Sequence, residues 1–171
     1  MADRSIWDRM KGAAMLDVAT YEEVEHDETL TTQAAMVVIM AAVARGIGGA
    51  NDGGNGLVIG IFAALFGWLV WAGITYIIGD KLLKGTATWG ELLRTLGYAQ
   101  APGILLVLGA LPVLGGPVRA IAGIWLLVTG IVAIRQALDF DTGKAILTAF
   151  LGWLVAIAIP AALVVGMLGM N

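Results

Sequence analysis

Residues 88–140, TWGELLRTLGYAQAPGILLVLGALPVLGGPVRAIAGIWLLVTGIVAIRQALDF, decide how this chain is read. Three of its four prolines, Pro102, Pro112 and Pro117, fall here. The stretch opens on a capping box, Thr88 three residues before Glu91, where each side chain satisfies an otherwise orphaned amide at a helix start. Leu92, Leu93, Leu96 and Tyr98 make the helix that follows amphipathic. Pro102 then lacks an N–H and crowds the preceding turn, which predicts a kink or break at 100–103. The apolar runs 101–114 and 120–134 are short for membrane crossings. Arg119 and Arg135 at their ends can snorkel to headgroups, which favours two crossings over a re-entrant hairpin turning at 115–117.

The composition around this stretch is that of an integral membrane protein. Of 171 residues, 59% are hydrophobic and 13% charged, with mean hydropathy +0.87; a soluble domain carries about 25% charged residues. Residues 56–79 and 145–170 contain no charge at all, and such runs read as spanning helices. The expected fold is therefore all-α: a polytopic transmembrane helix bundle of five spans, about 31–47, 56–79, 99–114, 118–136 and 145–169. Gly56, Gly60, Ala63, Ala64 and Gly67 form a small-residue stripe expected to pack inside the bundle. Trp68 and Trp71 are expected to fill gaps between helices, and Pro160 to kink the last span. The connector GIGGANDGGNG at 46–56 is glycine-rich but joins two membrane helices and lacks the Lys-Ser/Thr end of a phosphate loop.

Residues 1–19 form a separate amphipathic unit. Ile6, Trp7, Met10, Ala13 and Ala14 recur at helical spacing, so this helix lies either in the membrane interface or against the protein's own cytoplasmic face. It has no continuous apolar core of the kind a cleaved signal peptide has, and the first span is expected to act as the anchor. The transmembrane domain, 20–171, begins with a second expected capping box, Thr20 to Glu23. Around it cluster Glu22, Glu23, Glu25, Asp27 and Glu28, a solvated turn or a docking patch for a basic partner. His26, the one histidine, reads as a surface residue.

Charge sets the orientation. With five spans, Arg4, Arg9, Lys11, Lys81, Lys84, Arg94, Arg135 and Lys144 share one side, and only Arg45 and Arg119 the other. The positive-inside rule then places the N-terminus in the cytoplasm and the C-terminus outside, for a multi-pass protein of a cytoplasmic (inner) membrane.

The sequence offers little reactive chemistry. Cysteine is absent, which removes disulfides and thiolate metal sites. The spans carry no ionisable residue near the bilayer centre, where proton relays and intramembrane catalytic groups belong. The candidates for buried polar residues in the spans are Thr75, Gln100, Thr129 and Thr148. No enzyme, cofactor or metal is expected, and a net charge of −3 argues against nucleic acid as a partner.

The run GYAQAPGILLVLGALPVLGGPVRAIAGIWLLVTGIVAIRQALDFDTGKAI, residues 97–146, resembles the Yip-domain family, small polytopic proteins named for interaction with Ypt/Rab GTPases. The likeness extends over about 20–168, and the compact N-terminus resembles prokaryotic members. It implies a five-span bundle with a cytosolic N-terminus. Eukaryotic members carry a DLYGP element and a GYGYS-like element. This chain keeps Gly97 and Tyr98 of the second and lacks the first, which argues against a Rab-type GTPase as partner. The expected function is a non-enzymatic scaffold or accessory subunit organising an inner-membrane assembly, respiratory or photosynthetic, or the bilayer itself. Its partners would be lipid and other integral membrane subunits. Tyr98, Pro102 and Pro117 would shape the core, while Tyr21, Glu22, Glu23, Arg135, Asp139 and Asp141 would form the cytoplasmic face. A small transporter or channel, with its path at the broken third segment, is the alternative.

Overall fold

The third apolar segment is broken where Pro102 requires it. In the computed structural model, which describes residues 4–49 and 56–168 and side chains as far as 158, helix α5 (Trp89–Tyr98) ends at a turn. The chain continues as a ten-residue 3-10 helix, Ala101–Ala110, with Pro102 in its first turn. Such length is unusual for a 3-10 helix, and packing explains it. At three residues per turn, Gly103, Leu106 and Gly109 fall on one line, and that line lies against helix α3 (Thr31–Gly48). A Cβ on Gly97 would come within 2.7 Å of Ala34 Cβ, and one on Gly103 within 3.0 Å of Ala41 Cβ. At Gly48, a Cβ would collide with the Leu106 carbonyl. Alanine or glycine thus recurs every seven residues on α3 (34, 41, 48), and glycine every six on its partner (97, 103, 109). From Gly103 to Gly109 six 3-10 residues rise about 12 Å, against about 10.5 Å for the seven α-helical residues from Ala41 to Gly48, so the two ladders stay nearly in step there.

The break leaves no stranded carbonyl at Ala99, because Thr129 Oγ1 donates to it at 2.8 Å. Thr129 lies on α6 (Gly115–Ala137), which buries Ala122, Thr129, Ala133 and Ile134 and exposes Ile121, Ile124 and Leu127. Helix α4 (Leu57–Tyr76) also turns most of its surface outward, including Ile59, Phe62 and Phe66. The small-residue stripe is internal packing only in part: Ala64 packs against the core, but a Cβ on Gly60 or Gly67 would meet nothing within 4 Å. The contact face of α4 centres on Trp68, Ala72 and Thr75. Trp68 fills the gap to α5 and donates Nε1–H to Leu93 O at 3.0 Å. Trp71 packs on Gly152 of α7 (Thr142–Leu168), 3.2 Å from where a Cβ would sit. Helical structure in α7 runs through position 160; the side chain of Pro160 lies outside the described residues.

Helix α4 unwinds into a π-helical turn, Ile77–Leu82. Lys84 follows with φ 63°, returning the chain so that Gly79 and Gly85 both face Leu138. A Cβ on either would lie 2.3 or 2.6 Å from a Leu138 methyl. Leu138 is the buried end of α6, and Asp139 after it adopts φ 53°. Phe140 N–H donates to Arg135 O and Asp139 N–H to Gln136 O, a Schellman stop that turns the chain into α7. The same stop ends helix α1 (Ile6–Ala14), with Leu16 at φ 62°.

Four helices, Glu28–Gly48, Leu57–Leu82, Trp89–Ala110 and Gly115–Ala137, are long and apolar enough to cross a membrane; a shorter apolar helix follows at Thr142–Ala158. The third of these starts ten residues before the stretch 99–114, because the amphipathic helix at its front is buried and runs on into the 3-10 segment. From Leu92 to Tyr98 every residue is buried. By length and composition the third and fourth segments each suffice for a crossing.

The N-terminal face as candidate functional site

The polar residues of the chain converge where α1, α2 (Val18–His26), the start of α5 and the end of α6 meet. Helix α1 begins on a capping box, Ser5 with Asp8, whose mutual hydrogen bonds hold the Asp8 carboxyl below its usual range. It docks on the bundle through Met10 and Ala13, both buried, while Trp7 stays 62% exposed. The helix thus packs against the protein itself through one face. Helix α2 does not use the Thr20–Glu23 capping box. It starts earlier, on Asp17, and Thr20 Oγ1 donates to Asp17 Oδ2 at 2.6 Å. Glu23 is drawn away by two arginines, accepting from Arg4 Nη1 and Arg9 Nε, each at 2.8 Å.

A recurring device closes this face. The last carbonyls of a helix have no partner within it, and here side chains of other elements supply one. Tyr21, wholly buried, donates its hydroxyl to Ala13 O at 3.0 Å, and Trp125 of α6 donates to Ala14 O at 2.7 Å. Arg94 of α5, 5% exposed, donates to Val24 O and Glu25 O at the end of α2. At the opposite face Arg119 donates to Gly48 O at 3.0 Å, closing α3. Arginines that looked like solvated or snorkelling charges are helix caps.

Two side-chain chains link the face laterally. Arg9 Nη1 donates to Gln33 Oε1 at 3.3 Å, and Tyr98 Oη to the same oxygen at 2.9 Å, joining α1, α3 and α5. Arg135 Nε donates to Gln136 Oε1 at 3.1 Å, and Gln136 Nε2 to Glu22 Oε1 at 2.8 Å, joining α6 to α2. Beside Glu22 stand Glu25 and His26. One ligand atom from each of the three lies within 4.8 Å of the others. Glu25 is 8% exposed, and its Oε2 is buried without a hydrogen-bond partner. Burial, reinforced by the charges of Glu22, Glu91 and Asp139, pushes its carboxyl up to about 7. His26 Nδ1 lies 2.8 Å from Glu22 O.

Of the residues singled out from sequence, the structure brings several together. Glu22 joins Arg135 through Gln136, and Glu23 joins Tyr98 through Arg9 and Gln33. Tyr21 lies beneath them as a cap. Asp139, at the corner after α6, accepts from Thr86 Oγ1 at 2.7 Å, and Asp141 accepts from Lys144 N–H to start α7. Pro102 is buried at the break, and Pro117 is exposed in the first turn of α6, apart from this group. Sequence reasoning passed over Arg94, Gln33, Gln136 and the special position of Glu25. One signal was available: Gln136 follows Arg135 at the end of the apolar run, just before a corner.

A family model described as the Yip1 domain matches residues 18–163. The chain belongs to the Yip1 family. No curated protein and no solved structure matches it. The Yip1 match begins at the first residue of α2, so α1 lies outside it, held on by the Arg4 and Arg9 bonds to Glu23. The protein is a multi-pass membrane protein of helical architecture.

Proposed function

We propose that this Yip1 protein is a non-enzymatic scaffold or accessory subunit that organises a larger assembly in a bacterial inner membrane, respiratory or photosynthetic, or the bilayer itself. The observation that carries the reading is the build of the N-terminal face. Its charged residues are spent on joining α1, α2, α3, α5 and α6 to one another, which makes a rigid face on which a partner docks without an ordering cost. Outward rows on α4 and α6, with Phe62, Phe66, Ile121 and Ile124, suit lipid or the apolar flank of another membrane subunit. The face carries Arg4, Arg9, Arg94 and Arg135, and the opposite end Arg45 and Arg119, which supports a cytoplasmic N-terminus. Purification of the tagged full-length chain in mild detergent, with mass spectrometry of what co-purifies, tests this. A stoichiometric membrane partner is expected; a lone monomer or homo-oligomer in native extracts contradicts it.

One observation favours a second reading. A cavity of about 270 Å³ lies beside the broken third segment, with Val38, Arg45, Trp68, Trp71 and Gln100 among its lining residues. A small solute path there would be a transporter or channel. Solute flux in proteoliposomes that disappears on substitution of Gln100→Leu would support that reading over the scaffold.

A further inference from the structure

We propose that Glu22, Glu25 and His26 bind one divalent transition-metal cation, of the kind represented by Zn²⁺, on the N-terminal face. The three residues stand at positions i, i+3 and i+4 of α2 and so share one helix face. Their ligand atoms already lie within 4.8 Å of one another. Around zinc, with bonds of about 2.1 Å, tetrahedral ligands stand roughly 3.4 Å apart. Rotamer adjustments of about an ångström by His26 and Glu22, both at the surface, close that difference.

Three features make this a built site rather than a chance group of acids. The first is Glu25, whose buried Oε2 has no hydrogen-bond partner. Nearly all buried polar atoms have one, and a metal ion supplies what this oxygen lacks. The second is His26. The Glu22 carbonyl can only accept, so the Nδ1 that lies 2.8 Å from it carries the proton. That tautomer leaves the Nε2 lone pair free, the arrangement found behind metal-bound histidines. The third is the outer layer: Gln136 holds Glu22 Oε1 and is itself held by Arg135, leaving Glu22 Oε2 for the metal. Glu91 and Asp139 add negative potential. Arg94, the nearest buried cation, is directed at the backbone carbonyls of Val24 and Glu25.

Two carboxylates with an imidazole suit zinc or a similar borderline ion, whereas calcium and magnesium prefer all-oxygen shells. Three protein ligands leave a fourth position for water or for a donor from a bound partner. A metal here ties the end of α2 to α6 through Gln136, so the ion would stiffen the face that a scaffold presents.

Zinc titration of the chelator-stripped full-length protein in detergent, purified without a histidine tag, tests the site. Calorimetry gives the stoichiometry, and Co²⁺ substitution reads the ligand set by its visible absorption. One zinc per chain is expected, with magnesium and calcium far weaker. His26→Gln and Glu25→Gln should each weaken binding by at least tenfold, and Gln136→Leu by roughly tenfold although it removes no ligand. Glu28→Gln should leave it unchanged. Because His26 is exposed, His26→Gln leaves the fold intact and decides alone: zinc affinity unaffected by that substitution, or no saturable binding by the parent protein at micromolar zinc, overturns the proposal.

Discussion

Arg94 shows how this molecule spends its few charges. Its guanidinium is buried and closes the C-terminal carbonyls of α2, and charge-assisted hydrogen bonds of this kind contribute about 1.5–3 kcal/mol. Arg94→Leu is expected to lower the stability of the full chain by about that much in thermal unfolding, and to open the 18–30 region to protease first. Glu25 supplies a pH dependence. Its carboxyl titrates at about 7 in the folded protein, against an ordinary value of 4.5, mainly because it is buried. The folded state therefore favours the protonated form, and the stabilisation is complete below pH 4.5. It is lost as pH rises through 7, at a cost on the order of 1–3 kcal/mol. Metal-free protein should melt lower at pH 8 than at pH 5.5, and Glu25→Gln should flatten that difference. A third expectation concerns Leu138, seated between Gly79 and Gly85. Leu138→Ala should cost about 2–5 kcal/mol, the range for emptying a buried leucine site.

At the level of elements, the seam between α3 and the broken third segment sets the architecture. Gly97 is the tightest point shared with α5, since a Cβ there would sit 2.7 Å from Ala34 Cβ and 3.2 Å from the Ala34 carbonyl oxygen. Gly97→Ala should destabilise the protein, and Ala34→Gly in the same chain should restore part of the loss; a double-mutant cycle in unfolding measurements gives the coupling. The break itself was legible, because a proline in an apolar helix must interrupt it, and Thr88 with Glu91 announced the start of α5 correctly. The 3-10 geometry beyond the break was not legible. It depends on glycines meeting alanines of a helix some sixty residues earlier, a register that local periodicity does not encode. The glycines of the α4 stripe misled for the same reason. Small residues permit close approach without saying that a neighbour is there, and Gly60 and Gly67 have none.

For the whole molecule, hydropathy and charge were enough to identify a polytopic helical membrane protein, since long uncharged apolar runs have few other uses. The candidate site was legible only in part. Tyr21, Glu22, Glu23, Arg135 and Asp139 sit on or beneath the face, but the residues that weld it, Arg94, Gln33 and Gln136, pair across sequence distances that no local pattern reveals. The central claim is that this face is preformed, with α1 and α2 part of the folded body and not a loose interfacial arm. Hydrogen–deuterium exchange of the full-length protein in lipid nanodiscs tests it most directly. Amides of α2 from Tyr21 to His26 should be protected on the timescale of α5, and Arg94→Leu should release α2 while α3 and α6 stay protected. If α2 exchanges within seconds while the bundle remains protected, the preformed face does not exist.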